Sequence, residues 1–259
     1  RELPSVGFSM GHNEYPLLAK REVSGGKGYV LVHKALRRNY EVSAVSLNDA
    51  EALDGVDTLI LGGPETPFTF REKTNIQAYL ERGGNVIFLL DSAKVEGFSQ
   101  AEPLSVGLDD LLRPYGILLS SALALDPLNE TVSFEEGLIR FVAPYPFWVK
   151  AVSDHFDRSH PIMGKVTSVV FPWTSPVALR EADGIRHTVL ISTSPGAWLQ
   201  EPPFDLDPGT EPAYETGQYP LAVLAESAEP ERAEQGKILT IGNSRFLTDQ
   251  TIQQYRQNL

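Results

Sequence analysis

The chain has 259 residues, of which 42% are hydrophobic and 22% are charged, and its formal net charge is −12. This acidic balance, with no basic cluster longer than Leu36-Arg37-Arg38, argues against binding to nucleic acid or to anionic lipid. The absence of cysteine excludes disulfides, thiolate zinc sites and cysteine nucleophiles, and no apolar run approaches the roughly 18 to 20 residues of a membrane span. Because the chain begins at Arg1 rather than Met, we expect an excised or mature form whose membrane anchors lie outside it.

The N-terminal part predicts two strands joined by a helix. Strand Ser5–Met10 runs into the polar segment Gly11-His12-Asn13-Glu14, and Ser24-Gly25-Gly26 indicates a loop. Apolar residues at helical spacing predict a helix over Gly28–Asn39, and Glu41–Leu47 suits a second strand.

The stretch Asp57–Asp91 predicts a βαβ unit. Thr58–Leu61 and Val86–Leu90 are apolar runs without polar alternation, which favours strands buried on both faces of a parallel sheet. Arg71–Arg82 suits an amphipathic helix, and Gly83-Gly84 ends it because glycine enters the left-handed conformation without steric cost. The crossover is expected to be right-handed.

The pattern loosens after this unit. Ser92–Pro103 resembles a loop, Leu104–Pro114 has leucines at helix spacing, and Ile117–Leu125 is apolar enough for a further strand. Near the C-terminus, Leu221–Ala225 and Lys237–Ile241 are apolar strands that we expect to pair across a turn at 229–235. A polar terminal helix is predicted over Thr248–Gln257.

Residues 126–218 predict a β-rich elaboration, because proline and aromatic residues mix with short strand-like runs. Strands are expected at Phe147–Val152, Val166–Phe171 and Arg186–Thr193, and the six prolines and many acids of 195–220 predict a long surface loop.

Together these elements predict one α/β domain over 1–259. Its core comprises 1–125 and 219–259 and carries a doubly wound, mostly parallel sheet of the flavodoxin type, into which the β-rich segment is inserted.

Ligands of open α/β sheets bind beyond the carboxyl ends of the strands. Four predicted strand ends carry acidic, amide or hydroxyl residues, three of them together with glycine, and parallel strands would bring all four to one edge. Turn and cap chemistry explains each cluster without a ligand, and this structural interpretation is the more economical. If the edge binds a ligand, we expect a small polar molecule. The candidates for this binding crevice are Gly11, His12, Glu14, Gly62, Gly63, Glu65, Asp91, Ser92, Asn243, Ser244 and Arg245.

Other chemical motifs are discounted. Gly7-Phe8-Ser9-Met10-Gly11 matches a nucleophile elbow, but Ser9 lies within the strand and no helix follows at once. His155 and His160 are five residues apart, do not share a helical face, and suit a polar loop rather than a metal site. We therefore predict no catalytic residue, no metal ligand and no cofactor, and we expect the tryptophans to pack the elaboration.

Several motifs, taken in their order, carry a family resemblance. The chain resembles the auxiliary, substrate-binding-like components of uncharacterised ABC transport systems, including those associated with gliding motility. The similarity extends from about Val6 to Leu247. It is carried by Gly11-His12-x-Glu14, Leu59–Pro64, Leu80–Asp91, Leu111–Ile117, His160-Pro161-Ile162, Thr193-Ser194-Pro195 with Trp198, Tyr219–Val223 and Ile241–Phe246.

This resemblance implies an extracytoplasmic, periplasmic domain that works beside an ABC permease and ATPase, with no established catalytic residues. The family usually carries Gly-Asp-Ser-Asp-Phe in its last motif, where this chain has Asn243 and Arg245. The same core is similar to class I glutamine amidotransferase-like domains. Those need a cysteine nucleophile, so that activity is excluded here.

Three functional hypotheses remain. The leading one is a non-enzymatic transporter component that binds a ligand or a partner subunit. The alternative is a hydrolase or carbohydrate-processing enzyme using Glu14 and Asp91, whose carboxylates should then lie roughly 5 to 10 Å apart across an open cleft. The third is a scaffold that binds another protein through the 195–220 loop.

Overall fold

The structure, a computed structural model, describes residues 3–18, 28–136, 139–210, 215–229 and 235–259. The predicted loop at 24–26 and part of the predicted turn at 229–235 lie outside the described residues. The helices are α1 (Val30–Leu36), α2 (Phe70–Glu81), α3 (Asp109–Leu112) and α4 (Asp249–Gln254). The strands are β1 (Ser5–Met10), β2 (Glu41–Ser46), β3 (Thr58–Gly62), β4 (Asn85–Leu89), β5 (Ala93–Glu96), β6 (Gln100–Pro103), β7 (Ile117–Leu119), β8 (Leu123–Leu125), β9 (Asn129–Glu136), β10 (Ile139–Val152), β11 (Ser168–Pro172), β12 (Val177–Leu179), β13 (Ile185–Ser192), β14 (Trp198–Gln200), β15 (Pro220–Ser227) and β16 (Ile238–Ile241).

The largest sheet has seven strands in the order β13-β15-β16-β4-β3-β1-β2. Neighbouring strands from β16 to β2 are parallel, whereas β15 runs antiparallel to both β16 and β13. A second sheet has the order β11-β10-β9, and three further pairs are β12-β7, β14-β8 and β5-β6.

The predicted doubly wound, mostly parallel α/β sheet, of flavodoxin or amidotransferase type, is therefore wrong. The described part of the chain is β-rich, and its main sheet is mixed. A doubly wound sheet needs a helical crossover between successive parallel strands. Helix α1 connects β1 to β2 and helix α2 connects β3 to β4, but the chain passes from β4 to β16 mainly through strands.

The βαβ unit at the centre of the sheet is confirmed as β3, α2 and β4. Helix α2 starts at a capping box, in which Thr69 and Glu72 satisfy each other's backbone N–H groups. Both faces of the sheet are buried, as the apolar runs predict. Leu59 and Leu61 pack on the α2 face, whereas Ile60 packs on the opposite face.

The segment after β4 differs from its prediction. Instead of a loop, 92–103 contains the β5–β6 hairpin, in which Ala93 and Val95 are buried while Lys94 and Glu96 are exposed. The predicted helix over 104–114 shrinks to α3 and a 3₁₀ turn, because Gly107 adopts a positive φ of 69° just before it. The predicted strand at 117–125 divides into β7 and β8, which pair outside the main sheet.

The elaboration supplies a second layer. Val149, Ala151 and Phe171 from β10 and β11 pack against the β1–β16 side of the main sheet. A further aromatic cluster lies behind them, with Tyr145 and Phe147 fully buried. Strand β13 leaves this region and becomes an edge of the main sheet. The carboxyl ends of the parallel strands are thereby bordered by residues that are distant in sequence.

The 195–220 segment is only partly the predicted surface loop. It contains β14, and Trp198 and Leu206 are buried against the aromatic cluster. Residues 211–214 lie outside the described residues. No helix in the described ranges is long and apolar enough to cross a membrane.

Candidate functional site

The carboxyl ends of β1, β3, β4 and β16 lie together, because these strands are parallel neighbours. The backbone N–H of Glu65 donates to the carbonyl oxygen of His12 over 2.7 Å, joining the ends of β3 and β1. The N–H of Ser244 donates to Asp91 Oδ1 over 2.8 Å, joining the ends of β16 and β4. The structure thus brings all four predicted clusters to one edge.

The two glycines at the end of β3, Gly62 and Gly63, are required by packing within the protein. A Cβ on Gly62 would lie 2.7 Å from the Tyr29 ring. Gly63 has a φ of +71°, and a Cβ there would lie 2.7 Å from Ser244 Oγ and 2.8 Å from the Tyr15 ring. Their role here is close packing of the protein itself, rather than backbone approach to a ligand.

Asp91 is the buried centre of this edge. Both of its oxygens accept hydrogen bonds from Ser244, one from the backbone N–H and one from the hydroxyl. Burial raises the pKa of Asp91, while the nearby Arg245 charge and the Ser244 hydrogen bonds oppose that rise. The neighbouring Ser92 hydroxyl is bonded to the Ser175 hydroxyl, so both predicted residues are held by the protein.

The polar cluster after β1 is equally closed. His12 is buried, with Nε2 3.0 Å from Glu72 Oε1 and Nδ1 3.2 Å from the Thr66 carbonyl oxygen. Its ring stacks on Phe68 at a centroid distance of 3.9 Å. Glu14 accepts from the Ser9 hydroxyl and from the His12 N–H.

Two further candidates have structural roles at turns. Asn243 donates from Nδ2 to the Pro172 carbonyl oxygen over 2.6 Å, and its Oδ1 accepts from the Phe246 N–H over 2.8 Å. Gly11 is exposed with a φ of +122° and no atom within 4 Å of a built Cβ. Asn243 therefore ties β16 to β11, and Gly11 serves the turn after β1.

A cavity of about 360 Å³ opens beside these strand ends, and we call it the strand-end cavity. It lies between the β5–β6 hairpin, the ends of β10 and β11, and helix α4. Among the predicted candidates, Glu65 and Arg245 line it. Its wall also contains Tyr15, Lys94, Val95, Glu96, Gly97, Phe98, Trp148, Pro172, Trp173, Thr248, Gln250, Thr251 and Gln254.

Arg245 and Trp173 form the inner wall of this cavity. Arg245 donates from Nη2 to the Val95 carbonyl oxygen over 3.1 Å, and its guanidinium carbon lies 5.6 Å from the centroid of the Trp173 ring. Trp173 has a φ of +53°, a conformation that L-residues other than glycine rarely adopt and that clusters at functional sites.

Two side chains of opposite charge pair with each other at the outer wall of the cavity. Lys94 Nζ lies 3.4 Å from Glu65 Oε2, so these two side chains form an ion pair at the rim. Tyr15 lies deeper, and burial raises the pKa of its hydroxyl to about 12, against the influence of Arg245. At neutral pH the Tyr15 hydroxyl is therefore protonated.

Sequence reasoning missed most of this cavity. The prediction that Trp148 and Trp173 pack the elaboration is confirmed, but it did not place them at this cavity, and 94–98 was predicted to be loop. A signal was present in the alternation of Ala93, Lys94, Val95 and Glu96, which is typical of a half-buried strand.

The arrangement does not supply the carboxylate pair of the alternative hypothesis. Glu14 is held by Ser9 and His12, and Asp91 is held by Ser244. Neither lines the strand-end cavity. The pair therefore acts as caps of the strand-end turns instead of flanking an open cleft.

Comparison with known families identifies the chain at a coarse level. A model of the family described as ABC-type uncharacterized transport system matches residues 3–259. The chain belongs to this family. The predicted relationship to uncharacterised ABC-type auxiliary components is thereby confirmed, whereas the gliding-motility type and the amidotransferase-like core gain no support.

The sequence relatives are named for intraflagellar transport and not for ABC transport. Intraflagellar transport protein 52 homolog from Homo sapiens is 31% identical over 106 residues, which is 39% of this chain and 22% of the human protein. The chain thus spans less than a quarter of that relative. The solved mmIFT52 N-terminal domain matches 98% of this chain and 92% of its own, with a TM-score of 0.64 and 17% identity, and so shares the fold. A ThuA-like protein from Bacteroides uniformis has a TM-score of 0.48 at 14% identity, covering 94% of this chain and 84% of its own.

Proposed function

We propose that this domain is a non-enzymatic auxiliary component of an ABC-type transport system, and that it binds a small polar ligand in the strand-end cavity. The observation that carries the proposal is the cavity itself, at the carboxyl ends of parallel strands. Its volume of about 360 Å³ falls within the roughly 300 to 1,000 Å³ typical of small-molecule sites.

The lining supports a polar ligand with an apolar part. Indole and phenyl groups come from Trp148, Trp173 and Phe98, while donors and acceptors come from side chains on α4 and the hairpin. Sites for small molecules typically combine such apolar walls with a few convergent polar groups. The carboxylates of Glu14 and Asp91 are occupied elsewhere, which favours binding over hydrolysis.

The cellular setting is also part of the proposal. We place the domain outside the cytoplasm, beside an ABC permease and ATPase, because its family is described as a transport system. Co-expression with the permease and ATPase of the transporter that this proposal assigns to it should yield a complex that survives size-exclusion chromatography. Separate elution of the domain at micromolar concentration would count against this setting and leave the cavity's ligand to be tested on its own.

A thermal-shift screen of polar metabolites tests the binding function. A ligand at a hundred times its dissociation constant adds about 2.7 kcal/mol to the free energy of unfolding. Gln250 lines the cavity from an exposed position on α4, so Gln250→Trp should narrow the cavity without disturbing the core. Gln253 is exposed on the same helix but does not line the cavity, so Gln253→Trp is the matched control.

We expect at least one compound to stabilise the wild type and Gln253→Trp, with a much smaller shift for Gln250→Trp. A screen without any stabilising compound, or equal shifts in the wild type and both variants, would remove the cavity as the binding site.

A further inference from the structure

Arg245 has hydrogen-bonding capacity that the residues described in the structure do not use. A guanidinium group offers five N–H donors. Nη2 donates to the Val95 carbonyl oxygen, while the buried Nε has no acceptor among the described residues. The salt bridges found within the described ranges do not include Arg245.

An unpaired cation in a partly buried wall is electrostatically costly, and an anion placed beside it removes that cost. The nearby acid Asp91 is already committed, since both of its oxygens accept from Ser244. Glu65 is paired with Lys94 at the rim. The protein therefore leaves Arg245 as the cavity cation available to a ligand.

We infer that the strand-end cavity binds a small monocarboxylate, whose carboxylate pairs with Arg245 and whose apolar part lies against Phe98, Trp148 and Trp173. This inference rests on the proposed binding function and names its ligand class. The planar fork of arginine matches a carboxylate with two parallel hydrogen bonds. The aromatic side chains of the wall offer apolar surface for the rest of the molecule.

The charges of the wall favour a monoanion over a phosphate dianion. Lys94 is the other cation of the lining, and its charge is offset by Glu65. Glu96, on strand β5 with Lys94, adds a second carboxylate to the lining of the cavity. The net charge of −12 opposes anions at long range, but salt screens it beyond about 8 Å at physiological ionic strength.

The charge at position 245 should decide the preference. An aspartate in place of Arg245 would repel a carboxylate instead of pairing with it. Arg245→Asp is therefore the variant that should abolish the preference for a monocarboxylate.

The test compares phenylacetate with its neutral isostere phenylacetamide by isothermal titration calorimetry on the full chain. We expect the wild type to bind phenylacetate about tenfold more tightly or better, because a charge-assisted pair is lost with the amide. Arg245→Gln should bind both compounds equally, and Arg245→Asp should prefer the amide. Arg256→Gln is the control, since Arg256 is exposed and does not line the cavity.

The outcomes separate the two proposals. Equal wild-type affinity for both compounds, an unchanged preference in Arg245→Gln, or tighter binding of inorganic phosphate than of phenylacetate would overturn the monocarboxylate inference. If phenylacetamide binds and Gln250→Trp blocks it, the cavity remains a binding site for another ligand class. If neither compound binds at millimolar concentration while another metabolite does, only the monocarboxylate inference fails. The wild-type comparison needs no variant, so a misfolded Arg245→Gln leaves the test intact.

Discussion

Two polar clusters lie at the same edge of the main sheet and differ in how their polar groups are satisfied. In the closed cluster, His12, Glu14 and Asp91 are bonded to groups of the protein. In the open cluster, around the strand-end cavity, Arg245 Nε and Trp148 Nε1 are buried and have no acceptor within the described part of the chain. The residue types alone do not distinguish the clusters, but the hydrogen-bond partners do.

This difference separates structure from function at the strand ends. Buried polar groups that are fully bonded stabilise one arrangement, whereas unpaired ones are costly and call for an explanation. We assign the closed cluster to holding the turns and the open cluster to binding. Substitutions should therefore reduce stability in the first and ligand affinity in the second.

The largest expected loss of stability follows Glu72→Ala in the closed cluster. It removes the α2 capping box and leaves His12 Nε2 without its partner, which together should cost about 3 kcal/mol. Glu81→Ala, at an exposed position of the same helix, should change the free energy of unfolding by about 0.5 kcal/mol or less. Urea unfolding at pH 7 measures both, and equal losses would mean that the buried pair stabilises little.

A smaller loss is expected from crowding at the β3 end. Gly63→Ala puts a Cβ at positive φ against Ser244 and Tyr15, and should cost about 2 kcal/mol. Gly55→Ala has a similar φ of +77° but open space, so it should cost about 1 kcal/mol. The difference between the two unfolding free energies isolates the steric contribution, and its absence would show that the edge can relax.

Lowering the pH should change the free energy of unfolding in opposite directions through Glu72 and Asp91, both in the closed cluster. Burial alone would raise the pKa of Glu72, but hydrogen bonds from Thr69 and His12 lower it below the ordinary 4.5. Its stabilisation is therefore complete above about pH 4.5 and is lost as the pH falls through the folded-state pKa. The raised pKa of Asp91 acts the other way, because protonation then favours the folded state.

Unfolding free energies measured between about pH 5 and pH 3 should accordingly fall less steeply in Glu72→Gln and more steeply in Asp91→Asn than in the wild type. Parallel slopes in all three proteins would contradict the assigned pKa directions.

The smallest stability change is expected in the open cluster. Arg245→Gln loses one hydrogen bond to Val95 and the contact with Trp173, but it also removes an unpaired charge, so the net cost should be about 1 kcal/mol or less. Thermal unfolding without ligand measures this. A loss as large as that of Glu72→Ala would place Arg245 among the structural residues.

Much of the closed cluster could be predicted from the sequence. The β3–α2–β4 unit follows from continuous apolar runs and a glycine stop, and parallel strands bring their ends together by geometry. What the sequence does not contain is the partner of each polar group. Asp91 finds Ser244 across 153 positions, and no local pattern encodes that contact.

The open cluster was less predictable for the same reason. Its walls come from the β5–β6 hairpin, β10, β11 and α4, which only the tertiary fold assembles. The alternation in β5 covers only four residues, which is the shortest run for which such a pattern indicates a strand. The antiparallel pairing of β15 with β16 confirms the predicted pairing of 221–225 with 237–241 across a turn. The place of β13 beside β15 in the main sheet was not predicted, because a long excursion through strands separates them from the βαβ unit.

A crystal structure of the protein soaked with phenylacetate tests the central claim most directly. We predict a carboxylate within hydrogen-bonding distance of the Arg245 guanidinium, with the phenyl ring against Trp148 and Trp173. Phenylacetate bound outside the strand-end cavity, or bound within it with its carboxylate on Lys94 instead of Arg245, would contradict the account.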